Sequence, residues 1–138
     1  MKLKKNLNLS LDQFIKTRIN NANILMEGLA SLDNTFILPK AETHSTPSWF
    51  GFTVTLNKDT DRHAFIKYLD SHKIGTRLLF AGNLVKQPYF QDVEFRISGD
   101  LTNTNITMNK TLWLGIYPAL GKEQLDYIAE SFTSYFLS

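Results

Sequence analysis

The stretch RLLFAGNLVKQPYF, residues 77–90, contains the side chains of this chain that are best suited to binding a polar ligand. Arg77 precedes three apolar residues that indicate a strand, and strand alternation directs its guanidinium away from the layer that holds Leu78 and Phe80. Such a guanidinium is either an exposed strand cation or a clamp for an anion, because it can bind two phosphate oxygens at once. The residues alone leave both interpretations open.

Three further polar side chains follow Arg77 within ten residues, namely Asn83, Lys86 and Gln87. Amide groups both donate and accept hydrogen bonds, which suits the hydroxyl groups of a sugar. Pro88 restricts the backbone where the turn ends. This stretch therefore predicts one wall of a binding site, with a connecting loop as the alternative.

Other patterns that carry chemistry are not found in the sequence. The chain contains no cysteine, which excludes thiolate nucleophiles, cysteine-ligated zinc and iron–sulfur clusters within it. The histidines His44, His63 and His72 lack the spacing of metal ligands, and we interpret them as structural or solvent-facing. No phosphate loop or nucleophile-elbow motif occurs. We therefore assign no catalytic residue, metal site or cofactor site to this chain.

The composition indicates a single globular domain over residues 1–138, with 43% hydrophobic and 20% charged residues. The net charge of +2 predicts neither a nucleic-acid partner nor attraction to an acidic membrane. No apolar run reaches the roughly 18 residues that a membrane-spanning helix needs. We interpret the basic start, Lys2, Lys4 and Lys5, as a solvated arm and not a signal peptide, and we expect a cytoplasmic protein.

Apolar periodicity predicts the elements that must position these side chains. Helical spacing indicates helices over residues 10–31, 60–72 and 122–137, with Ser10 as the first N-cap and Asp59 or Thr60 as the second. The segment NTNITMNKTL predicts a shorter helix. Strands are predicted at TFILP, WFGFTVTL, residues 74–80 and LWLGIYP, and VEFRI is a short strand or an extended segment. This order predicts an α+β two-layer sandwich, a small and mainly antiparallel sheet with helices on one face.

The other sheet face is predicted to be partly polar and to pack against another surface. Alternation assigns Phe50 to the helix-covered face, and it places Trp49, Arg77, Trp113 and Tyr117 on or beside the open one. An apolar patch of several hundred Å² exceeds what a monomer usually exposes. We therefore expect the chain to self-associate through this face or through its first helix.

Several segments resemble the C-terminal part of the DegT/DnrJ/EryC1/StrS family of sugar aminotransferases. They are PSWFGFTVTL, KIGTRLLFAGNLVKQPYF, GDLTNTN, LWLGIYPAL and LDYI, and the resemblance runs from about Arg18 to the end. Residues 73–88 are the most specific part. Family aminotransferases typically have a histidine before the Gln-Pro pair, whereas Asn83 and Leu84 occupy that region here. The resemblance is therefore greatest to the lipopolysaccharide-biosynthesis dehydrases that act on CDP-4-keto-6-deoxyglucose.

The resemblance implies the small C-terminal domain of a fold-type-I enzyme. In that family a large N-terminal domain, which is absent from this sequence, holds pyridoxal or pyridoxamine phosphate (PLP or PMP) and the catalytic residues. No cofactor is then expected within this chain. The resemblance also implies that Arg77 meets a phosphate or sugar oxygen of a CDP-4-keto-6-deoxyhexose, that Asn83 and Gln87 position the sugar, and that Lys86 belongs to the same substrate-binding set.

These implications predict a fragment, or the product of a truncated or split gene, that is inactive alone. It would form a homodimer or pair with a separate cofactor domain. Two alternatives stay open: the C-terminal domain of a sugar aminotransferase, and a non-catalytic module for sugar-nucleotide binding or assembly. The sequence also departs from the family pattern, in which Asp is common at the position of Asn105, Gly at that of Ala119 and Thr at that of Gly121.

Overall fold

The computed structural model of the chain describes residues 9–57 and 59–137, so the basic arm of Lys2, Lys4 and Lys5 lies outside the described residues. The elements are α1 (Leu11–Gly28), β1 (Phe36–Ile37), β2 (Gly51–Leu56), α2 (Arg62–Ser71), β3 (Thr76–Leu78), α3 (Thr102–Lys110), β4 (Thr111–Gly115) and α4 (Lys122–Leu137). Short 3-10 helices occur at Ala30–Leu32, Leu84–Lys86 and Pro88–Phe90. None of the helices in the described ranges is long and apolar enough to cross a membrane.

The four strands form one sheet in the order β1-β2-β4-β3, and each neighbouring pair is antiparallel. Trp113 at the centre of β4 lies opposite Thr53 of β2 on one side and Arg77 of β3 on the other. The predicted α+β class with an antiparallel sheet is therefore confirmed, and the register places Arg77 beside Trp113.

Alternate residues of the two central strands form the core. Phe52, Val54, Leu112 and Leu114 are buried on one face of the sheet. The helices cover them with apolar side chains at helical spacing, chiefly Leu25, Leu29, Phe65, Leu69, Leu125, Ile128 and Phe132. Each such buried side chain contributes about 1.5–3 kcal/mol relative to an exposed one. The three predicted helices thus lie on one face, as their periodicity indicates.

Side-chain caps determine where the first two helices begin. Ser10 and Gln13 form the predicted capping box of α1. The N-cap of α2 is Asp61, one or two residues later than predicted, and its carboxylate accepts the backbone N–H groups of His63 and Ala64. These hydrogen bonds favour the charged carboxylate and lower the pKa of Asp61.

The open sheet face differs from the prediction at the start of β2. Trp49 packs against the core, and its carbonyl accepts a hydrogen bond from Arg18 Nε at 2.8 Å. Phe50 is instead 70% exposed, with its ring 5.2 Å from that of Trp113. The assignment of both residues was wrong because β2 begins at Gly51, so strand alternation does not extend to positions 49 and 50.

Gly51 leaves room for the indole of Trp113 on this open face. A Cβ added at Gly51 would lie 2.3 Å from the Trp113 ring, closer than any real contact. Trp113 Nε1 also donates to the carbonyl of Leu78 at 3.0 Å, across the strand pair. The indole therefore lies flat along the sheet and joins β2 to β3.

A buried guanidinium connects three elements near the end of α3. Arg62 is 8% exposed, and its Nη1 donates to the carbonyls of Met108 at 2.6 Å and Thr111 at 3.0 Å. Burial penalises the charged form and lowers the pKa of Arg62. Because the two carbonyls belong to the junction of α3 and β4, Arg62 joins the start of α2 to that junction.

Replacing Arg62 by methionine should lower the free energy of unfolding by about 1–3 kcal/mol, because the buried Thr111 carbonyl and the part-buried Met108 carbonyl lose their donor. Chemical denaturation followed by circular dichroism measures the change. Lys67→Met is the matched control, since Lys67 is exposed on the same helix. Equal stability of the two variants would contradict the structural role of Arg62.

Candidate functional site

Arg77 occupies the middle of β3 on the open sheet face. It is exposed, it lies opposite Trp113, and its Nη1 donates to the carbonyl of Thr76 at 3.1 Å. That carbonyl belongs to the neighbouring residue of the same strand, so the bond does not join Arg77 to another element. The sequence predicts this position for Arg77 from strand alternation over residues 74–80. In the structure the strand covers only Thr76–Leu78, so the alternation holds over this shorter range.

The strand carrying Arg77 ends sooner than the sequence indicates. The predicted strand covers residues 74–80, whereas β3 stops at Leu78. Leu78 remains 49% exposed at the sheet edge, and Phe80 is 83% exposed with a left-handed backbone at φ 48°. The expectation that Phe80 packs into the covered layer was therefore wrong, because the chain turns away from the sheet before reaching it.

The turn after β3 passes close to α3. Gly82 has φ 64°, and a Cβ at this position would meet the backbone and side chain of Met108 at 2.6 Å. Only glycine satisfies both the backbone conformation and the space. The turn is therefore held against α3, and the polar residues that follow it start from a defined position.

Asn83 is a buried part of this loop. It is 1% exposed, its Nδ2 donates to Oδ1 of Asn105 at 2.9 Å, and its Oδ1 accepts the backbone N–H of Val85 at 3.2 Å. The first bond joins the loop to α3, and the second caps the 3-10 helix Leu84–Lys86. Both ends of the amide are thus engaged within the protein.

Gln87 has a related role at the other end of the same turn. Its Nε2 donates to the carbonyl of Ala81 at 2.7 Å and approaches that of Asn83 at 3.4 Å. These bonds close the loop from residue 81 to residue 87. Lys86, between the two amides, is exposed.

The structure therefore divides the four predicted site residues into two groups. Asn83 and Gln87 hold the loop in shape, while Arg77 and Lys86 present cationic groups at the surface. Guanidinium and ammonium groups are suited to phosphate oxygens. Substrate contact by any of the four stays a prediction.

The segment around these residues does not fit a pyridoxal phosphate site. Residues 76–90 contain no carboxylate that could pair with the pyridine nitrogen, and their single lysine, Lys86, is exposed. A groove of about 960 Å³ opens near Gly75, Gly115 and Tyr127, but none of the four predicted site residues lines it. We therefore derive no cofactor chemistry from this chain.

Sequence reasoning missed the role of Asn105. In the sequence Asn105 stands out only as a departure from the family pattern, whereas in the structure its side chain accepts the hydrogen bond of the buried Asn83. The two positions lie 22 residues apart, and no local pattern links them. The one signal that the sequence offers for this pair is that Asn83 and Asn105 are both amides, in segments that the fold brings together at one edge of the sheet.

Comparisons with known proteins place the chain in one family. The model of the DegT/DnrJ/EryC1/StrS aminotransferase family matches residues 5–133. The chain is 48% identical over 128 residues to lipopolysaccharide biosynthesis protein RfbH of Salmonella typhimurium, covering 91% of the chain and 29% of that protein. It is 41% identical over 127 residues to dTDP-4-dehydro-2,6-dideoxy-D-glucose 3-dehydratase of Saccharopolyspora spinosa, covering 91% and 27%. The chain thus spans less than a third of these relatives.

Solved structures share the fold at lower identity. E. coli GDP-4-keto-6-deoxy-D-mannose-3-dehydratase with bound hydrated PLP superposes with a TM-score of 0.77 at 21% identity, covering 86% of this chain and 30% of that one. The aminotransferase from Psychrobacter cryohalolentis gives 0.79 at 14% identity, covering 91% and 35%. These likenesses confirm the α+β fold.

Replacing Asn83 by alanine should lower the free energy of unfolding by about 1–3 kcal/mol, because the buried amide is lost and the part-buried Asn105 Oδ1 and Val85 N–H lose their partner. Thermal and urea denaturation measure the change. Lys86→Ala serves as the control, since its side chain is exposed in the same loop, and it should leave stability unchanged. An Asn83→Ala variant as stable as the wild type would show that the amide is not required by the loop.

Proposed function

This chain belongs to the DegT/DnrJ/EryC1/StrS aminotransferase family, and we propose that it is the C-terminal domain of a PMP- or PLP-dependent nucleotide-sugar 3-dehydrase. The reaction would belong to deoxysugar and lipopolysaccharide O-antigen biosynthesis. The observation that carries this proposal is the 48% identity to a lipopolysaccharide biosynthesis protein over 128 residues. The 41% identity to a 3-dehydratase of another nucleotide sugar supports the same reaction class.

The proposed domain binds and orients substrate, and the cofactor belongs to a larger domain supplied by the rest of the enzyme. The loop after β3 supports this division. Two internal amides hold the shape of this loop, which carries the exposed cation Lys86 and directly follows the strand that carries exposed Arg77. A loop that is already ordered positions a ligand without a further loss of conformational freedom.

Arg77 and Lys86 are assigned to the diphosphate or the sugar oxygens of the substrate. The resemblance of residues 73–88 favours a CDP-4-keto-6-deoxyhexose, whereas the names of the relatives specify dTDP and GDP sugars. What these names share is a deoxysugar carrying a diphosphate nucleotide. Cations that contact the diphosphate would serve all three nucleotides, so the choice of base must depend on other residues.

A sugar aminotransferase domain is the second candidate. The Psychrobacter cryohalolentis aminotransferase superposes as well as the E. coli dehydratase does, so the fold does not separate the two reactions. The higher sequence identities, 48% and 41%, favour the dehydrase. The third candidate, a non-catalytic sugar-nucleotide or assembly module, shares the surface cations but predicts no activity in any complete enzyme.

The purified chain is expected to show no dehydrase or transaminase activity and to retain no PLP or PMP absorbance after gel filtration. A chimera in which this chain replaces the matching part of the Salmonella typhimurium relative should dehydrate CDP-4-keto-6-deoxyglucose. In that chimera, Arg77→Ala should raise KM roughly tenfold or more, because one charge-assisted contact to substrate is lost.

Three results separate the candidates. Cofactor retention or turnover by the isolated chain would contradict the division of roles proposed above. A chimera that transaminates the 4-keto sugar without dehydrating it would favour the aminotransferase. A folded chimera without activity towards any nucleotide sugar would favour the non-catalytic module.

A further inference from the structure

Residues 93–97, with the sequence VEFRI, form an extended segment that no strand pairs within the described part of the chain. Apolar and charged side chains alternate along it. Val93, Phe95 and Ile97 are 46%, 46% and 50% exposed, and Glu94 and Arg96 are exposed as well. Half-exposed apolar residues at every second position are typical of a strand whose neighbour is missing.

The backbone of this segment is equally unpartnered. The N–H of Val93 donates to the carbonyl of Phe90 at 3.3 Å, which fixes the start of the segment. From residue 94 to residue 98, no backbone hydrogen bond joins the segment to any other described residue. A row of free N–H and C=O groups on an extended segment can pair with another chain by strand addition.

The charges of the segment indicate which chain that is. Read in either direction from Phe95, the order is charged and then apolar, with Glu94 on one side and Arg96 on the other. An antiparallel pair of two copies centred on Phe95 places Glu94 of each copy opposite Arg96 of the other. Val93 then lies opposite Ile97, and opposite charges and apolar pairs both stabilise neighbouring strands.

Other antiparallel registers of the same two segments are disfavoured. A shift that centres the pair on Glu94 or on Arg96 places like charges directly opposite each other. A centre between two residues places Phe95 opposite a charged side chain, so the apolar face of one copy meets the polar face of the other. The register centred on Phe95 is the one that avoids both conflicts.

We propose that residues 93–97 pair with the same segment of a second copy as antiparallel strands, forming a dimer with two-fold symmetry. A two-stranded ribbon by itself is only marginally stable in water. Here the ring of Phe90 lies 5.5 Å from that of Phe95 and supports the apolar side of the segment. Gly99 and Leu101, both with left-handed φ angles, turn the chain into α3 directly afterwards.

Charge reversal tests the register. Glu94→Arg and Arg96→Glu each create two like-charge contacts across the dimer axis, and each should weaken dimerisation roughly tenfold or more. The double variant E94R/R96E restores opposite charges and should dimerise as the wild type does. Glu42→Arg is the control, because it makes the same charge change as Glu94→Arg at an exposed position in a different loop. Sedimentation equilibrium at several protein concentrations gives the constants.

Disulfide trapping tests the geometry independently, since the chain contains no cysteine. Two copies of Phe95→Cys would face each other with Cα atoms about 4.5–5.5 Å apart, within the range that a disulfide spans. Mild oxidation should therefore give a covalent dimer. Val93→Cys is the matched control, because its two copies would lie roughly 13 Å apart in this register. Mixing Val93→Cys with Ile97→Cys should again give a cross-linked pair.

Several outcomes would overturn the proposal. A wild type that stays monomeric at millimolar concentration would do so, and so would a charge-reversed double variant that fails to dimerise while melting like the wild type. A third result concerns the open sheet face. If Trp113→Lys abolishes the dimer and the reversals at Glu94 and Arg96 do not, the interface lies on that face, as the sequence led us to expect, and the proposed strand pairing is wrong.

Discussion

One-sided burial of the central strands is the constraint on which the rest of the structure depends. Phe52, Val54, Leu112 and Leu114 are buried beneath the helices, and their alternation fixes which residues of β2 and β4 face the open side. A slip of one residue would move every one of these side chains to solvent. The register that prevents the slip also places Arg77 opposite Trp113, so the packing of the core sets the position of the proposed anion-binding group.

The loop after β3 is then held by contacts with α3. Gly82 lies against Met108, and Asn83 donates to Asn105. The far end of α3 is fixed by Arg62, whose guanidinium donates to the Met108 carbonyl. A series of part-buried hydrogen bonds and one close steric contact therefore links α2 through α3 to the loop. Exposed Arg77 and Lys86 lie on a scaffold whose amides hydrogen-bond within the protein, which suits a surface that meets a ligand without rearranging.

The sequence predicted the layered fold because helices and strands leave long periodic signals. The failures occurred at element ends. Alternation in the sequence continues to Phe50 and to Phe80, but β2 begins after the first and β3 ends before the second. Position along the chain cannot reveal such ends when the neighbouring residues keep the pattern. The first residue of β2 and the last residue of β3 could therefore be located only in the three-dimensional structure.

The sequence predicted where the candidate site lies, but it did not predict which of its polar residues are exposed and which hold the loop in shape. The polar residues between 77 and 87 were identified from their types, but an amide suited to a sugar is equally suited to a buried loop. Two observations favour the loop role for Asn83. Its side chain donates to Asn105, 22 residues away, and the residue is only 1% exposed. The segment VEFRI shows the reverse case, since its period of two predicted an extended conformation that the structure leaves without a partner strand.

The central claim, that two cations face the ligand while the two amides hold the loop, is tested most directly by NMR titration of the chain with pyrophosphate. Side-chain signals of Arg77 and Lys86 should shift with a common saturation curve, and more than those of Lys67, which is exposed on α2. The Nδ2 protons of Asn83 should neither shift nor lose protection from solvent exchange. Shifts of the Asn83 and Gln87 amides with Arg77 and Lys86 unaffected would contradict the account.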